Sequence, residues 1–63
     1  MSERDLIEEA FGITIKTLFS AFFHAYTAAR GDEVGELQAE QIFRAAVIHA
    51  RHVRARALAV LPE

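Results

Sequence analysis

The sequence GDEVG, residues 31–35, is the only turn-rich stretch of this chain, and it lies between two long segments with helical periodicity. Gly31 is placed to end the first helix in the left-handed conformation, with Arg30 in the last helical turn. The second helix is predicted to begin between Asp32, which can act as an N-cap, and Glu36. Because the break is short and the two segments are similar in length, they predict an antiparallel helical hairpin.

The outer ends of the two segments also carry helix signals. Ser2 is a good N-cap, and Asp5, three residues later, supplies a weaker form of the capping box. Pro62 ends the second segment. We therefore predict one all-α domain over residues 1–63, with helices at about 3–29 and 36–60 and a turn at about 30–35.

The chain is too short to build a large core by itself. It has 63 residues, 52% of them hydrophobic, and no cysteine. A monomer of this size buries only about 60% of its unfolded surface. Small domains usually gain stability from disulfides, a metal or oligomerisation, and the lack of cysteine favours oligomerisation here.

The first helix is apolar around more than half of its circumference. The centre of its apolar face is formed by Ile7, Phe11, Ile15, Leu18, Phe22, Ala25 and Ala29. Phe19, Phe23 and Tyr26 lie to one side of this row, and the apolar arc spans roughly 200°, about twice that of an ordinary surface helix. One neighbouring helix cannot cover it. We expect the hairpin to dimerise into a four-helix bundle, with Phe19, Phe23 and Tyr26 in the dimer interface.

The second helix has two contrasting faces. A heptad-like row predicts packing against the first helix; it consists of Ala39, Phe43, Ala46, Ala50, Val53, Ala57 and Val60. On the opposite face, Arg44, Val47, Ile48 and Arg51 form a mixed apolar and cationic patch that we interpret as a partner-binding site. Two alternatives stay open: the patch is ordinary surface with a Glu40–Arg44 ion pair, or it serves self-association.

The charge distribution raises RNA as a second class of partner. Residues 1–40 carry a net charge of −5, whereas residues 41–63 carry +3, with four arginines. In a dimer, Arg44, Arg51 and Arg54 would form a basic stripe able to follow phosphates. In length and topology the predicted hairpin is similar to the plasmid copy-number regulator Rop, and that resemblance implies a dimer that binds paired RNA loops.

No catalytic, cofactor or metal motif is present in the sequence. His49 and His52 are spaced for two metal ligands, but a site needs a third ligand, and His24 is not required to lie near them. Lys16 and the polar residues around it interrupt the apolar run of residues 10–29, which argues against a membrane span. We expect a cytoplasmic protein that is not an enzyme and uses no cofactor or metal.

The function that these features favour is protein binding. A small non-enzymatic homodimer with leftover apolar and cationic surface has the character of an adaptor or inhibitor that modulates another protein, such as the small regulators of phages and plasmids or secretion chaperones. The alternatives are a dimeric RNA-binding regulator of Rop-like architecture and a subunit that folds only within a larger complex.

Overall fold

The computed structural model describes all residues, 1–63, and it is an antiparallel hairpin of two α-helices without any strand. Helix α1 spans Glu3–Ala28 and helix α2 spans Glu33–Ala59. The two helices pack against each other along their length. The prediction of an all-α helical hairpin is therefore confirmed.

The start of α1 is closed by the capping box that the sequence indicates. The backbone N–H of Asp5 donates to Ser2 Oγ at 3.2 Å, and the backbone N–H of Ser2 donates to Asp5 Oδ2 at 3.3 Å. Two of the amide groups that a helix leaves without partners at its N-terminus are thus satisfied.

The turn differs in detail from the sequence prediction. Helix α1 ends at Ala28, so Arg30 lies beyond its last turn rather than within it, and Gly31 takes the left-handed conformation with φ of 85°. Helix α2 begins at Glu33 after Asp32, whose side chain makes no capping hydrogen bond. Gly35 lies inside the first turn of α2, where a Cβ atom would stand 2.9 Å from the Cβ of Ala29. The glycine thus allows the end of α1 to pack closely on the start of α2.

Aromatic rings and one ion pair connect the two helices. The ring centroids of Phe22 and Phe43 lie 4.9 Å apart near the turn. At the open end, Arg54 forms an ion pair with Glu8, and its guanidinium lies 5.1 Å from the centroid of Phe11. The acidic start of α1 therefore lies beside the basic end of α2, as the hairpin requires.

The isolated hairpin has almost no interior. Ala39, at 7% exposure, is its only buried residue. The Cα atoms occupy a thin slab of 51 × 18 × 7 Å with a radius of gyration of 14.9 Å, whereas a compact domain of this length has about 11 Å. The accessible surface is 5134 Å², against about 4,000 Å² for a typical monomer of this mass.

Candidate interaction surfaces

The slab has two broad faces, and the residues on them differ in size. At 100° per residue, Phe19, Phe23 and Tyr26 of α1 lie on the same side as Val47 of α2, because the other sides of the two helices line common depressions. We call this side the ridge face. The opposite side, which we call the groove face, carries mostly alanine and other small side chains.

The aromatic side chains of the ridge face are largely exposed. Phe19 and Phe23 are 54% and 56% exposed, and their ring centroids lie 6.3 Å apart. Tyr26 packs against Phe22 at 5.4 Å and is exposed by about a third. The structure thus places the three predicted interface residues in one row on one side of the hairpin, with no covering element within the chain.

The four residues of the predicted partner-binding patch extend from the ridge face to the outer side of α2. Arg44, Ile48 and Arg51 are exposed, whereas Val47 is half-buried because it stands closer to α1. The ion pair between Glu40 and Arg44 that their spacing allows does not form, and the only ion pair of the chain joins Arg54 to Glu8. The cations of the patch are therefore free of acidic partners within the hairpin.

The groove face contains a feature that the sequence analysis missed. Shallow depressions follow the seam between the helices, and the largest has a volume of about 390 Å³. Their floor and walls are mainly apolar and include Ala10, Thr14, Leu18, Ala21, Ala25, Ile42, Ala46, His49 and Val53. Small residues recurring at helical spacing are a signal for it, but the heptad row that contains Ala46 predicts only close packing between the two helices.

Two of the candidate metal ligands, His24 and His49, lie on different surfaces of the hairpin. The structure holds no group of three His, Cys, Asp or Glu side chains arranged to bind a metal ion. His49 lines the groove, whereas His24 is exposed on the outside of α1 and makes an edge contact with the ring of Phe23 at 5.9 Å. No buried side-chain nitrogen or oxygen lacks a hydrogen-bond partner.

Comparison of the chain with protein-family models, with curated proteins and with solved structures finds no match. The similarity to Rop therefore rests on length and topology. Neither helix combines the length and the hydropathy that crossing a membrane would need. The surfaces of the hairpin themselves thus provide the basis for a functional assignment.

Proposed function

We propose that this protein is a small non-enzymatic homodimer that acts in the cytoplasm as an adaptor or inhibitor of another protein. The observation that supports this most is the exposure of its large apolar side chains. Twelve of them are exposed by more than a third, among them Phe19, Phe23 and Ile48, while a single alanine is buried. A folded chain with this distribution needs further protein surface to cover it.

The predicted dimer interface is the row of Phe19, Phe23 and Tyr26. Aromatic side chains contribute large contact areas and are enriched at the centres of interfaces. Two hairpins that pack through this row would form a four-helix bundle, which gives each chain the core that it lacks alone.

The predicted recognition surface is the outward patch of α2. Of its residues, Ile48 points furthest from α1, with Arg44 and Arg51 to one side of it. Exposed aliphatic side chains between unpaired guanidinium groups suit a protein partner that offers both apolar and acidic groups.

Affinity capture tests this proposal. The wild-type chain and a variant carrying Arg44→Glu and Ile48→Asp are each used to capture proteins from the source cell, with and without nuclease. We expect a protein that the wild type retains in both conditions and the variant loses, while sedimentation shows the variant to be dimeric still. Equal capture by both baits would contradict the assignment of the patch.

RNA binding is the second candidate, and the unpaired arginines favour it. Of the predicted stripe, Arg44 and Arg51 form no ion pair within the hairpin, whereas Arg54 is paired with Glu8. Capture that is lost after nuclease treatment, together with affinity for RNA that falls steeply with salt, would support this function over protein binding.

A further inference from the structure

We propose that the dimer is antiparallel, with its two-fold axis beside Val47 on the ridge face, and that Phe23 of each copy fills the open space above Gly12 of the other. This inference rests on the proposed homodimer and adds to it the register and the reciprocal contacts. The occupant of the ridge face is thus a second copy of this chain.

Gly12 is the first indication of such a contact. It lies in the middle of α1, where glycine weakens a helix relative to alanine. The fold of the single hairpin does not require it, since a Cβ atom at this position would meet no other atom within 4 Å. A glycine inside a helix without an intrachain reason is explained if a bulky group of another molecule approaches the backbone there.

The ridge edge of α1 supplies that bulky group when the edges of two copies pack against each other in opposite directions. Six positions share this edge: Glu8, Gly12, Ile15, Phe19, Phe23 and Tyr26. Reversal about Thr17 places Phe19 opposite Ile15 and Tyr26 opposite Glu8, and it brings Phe23 within one residue of Gly12. Each aromatic ring then meets a smaller or non-aromatic residue, and the hydroxyl of Tyr26 can donate to the carboxylate of Glu8.

The charges along α2 are compatible with the same direction. Leu18, near the centre of α1, and Ala46, next to Val47, line the same depressions of the seam. Val47 therefore stands level with the centre of α1. On the ridge edge, the acids Glu36 and Glu40 precede Val47, and the cations Arg51 and Arg54 follow it. An antiparallel pairing about Val47 sets Glu40 of one copy opposite Arg54 of the other, so that opposite charges meet there. Arg44 of one copy comes within one residue of Arg51 of the other, and these two long side chains have to turn outward beside the axis.

The excess surface of the hairpin is large enough for this interface. The chain exposes about 1,100 Å² more than a compact monomer of its mass, and a stable interface needs about 800 Å² from each partner. The predicted patch is then divided between two roles. Val47 belongs to the dimer contact, whereas Ile48 stands about 100° further round the helix and stays available for recognition, with Arg44 between them.

Cysteine cross-linking tests the axis. Because the chain has no cysteine, Val47→Cys introduces a unique thiol that would face its own copy across the axis. Under mild oxidation we expect most of this variant to become a disulfide-linked dimer. Ala45→Cys, on the opposite face of the same helix turn, is the matched control and should stay largely uncross-linked. Equal cross-linking of both variants, or cross-linking of Ala45→Cys alone, would overturn the proposed axis.

A second variant tests the contact at Gly12 without disturbing the fold of the hairpin. Gly12→Leu removes a weak helix residue and meets no atom of its own chain, so its helicity by circular dichroism should be at least that of the wild type. We expect its dimer dissociation constant to rise at least tenfold, whereas Ala45→Leu should leave that constant unchanged. An unaltered constant for Gly12→Leu would refute the contact. A monomeric wild type would refute the proposed homodimer itself, whereas a dimeric wild type without these effects would refute only the register.

Discussion

Single residues set the start of α1, and they do so through hydrogen bonds between side chains and backbone amides rather than through burial. Ser2 and Asp5 exchange two hydrogen bonds at the start of α1, whereas the Asp32 side chain makes none at the start of α2. The two helices thus begin in similar ways in the sequence but differ in how their free amide groups are satisfied.

This difference predicts unequal costs of two alanine substitutions. Ser2→Ala removes a capping hydrogen bond and should lower the free energy of unfolding by about 1 kcal/mol. Asp32→Ala removes no such bond and should cost less, through the helix dipole alone. Urea denaturation of both variants at one protein concentration measures the difference, and a larger loss for Asp32→Ala would contradict it.

At the scale of the helices, the pairing of α1 with α2 depends on a few contacts of exposed or half-buried groups. Arg54 is the most connected, since it pairs with Glu8 and also lies over the ring of Phe11. Both charged side chains are more than a third exposed, so solvent screens their attraction.

We therefore expect Arg54 to stabilise the hairpin more through its several contacts together than through its charge alone. Glu8→Gln should lower the free energy of unfolding by less than about 1 kcal/mol, as for other exposed ion pairs. Arg54→Ala should cost more, because it also removes the contact with Phe11 and the packing of the arginine stem. Thermal denaturation of the two variants compares these losses, and equal losses would show that the ring contact contributes little.

At the scale of the whole molecule, the single hairpin resembles half of a protein core. Its thinnest dimension is 7 Å between extreme Cα atoms, so that one layer of helices has water on both sides. Side chains such as Phe19 and Phe23 can leave water only when another layer is added.

Folding should consequently be coupled to self-association. We expect a dimer by sedimentation equilibrium at micromolar concentration and a melting temperature that rises with protein concentration. A well-folded species of 7.0 kDa whose melting temperature is independent of concentration would contradict this expectation.

A substitution on the ridge face tests whether this face forms the dimer contact. Phe23→Glu should dissociate the dimer, because it places a charge in a contact from which water is excluded, at a cost of several kcal/mol. Ile13→Glu is the matched control, since Ile13 is 58% exposed but does not lie on the ridge face. Analytical sedimentation of both variants should show a monomer only for Phe23→Glu.

The hairpin, the capping box at Ser2 and the left-handed Gly31 could be predicted from the residues alone, because caps, turn residues and the helical period act over a few neighbouring positions. The sequence did not determine that α1 stops at Ala28 or that Gly35 lies within α2, since these depend on the close contact of Ala29 with the next helix. Only the tertiary structure showed which side chains share a face across the two helices. The groove, the half-burial of Val47 and the empty space over Gly12 all arise from that pairing. The spacing of residues along one helix does not show which face of the other helix lies beside it.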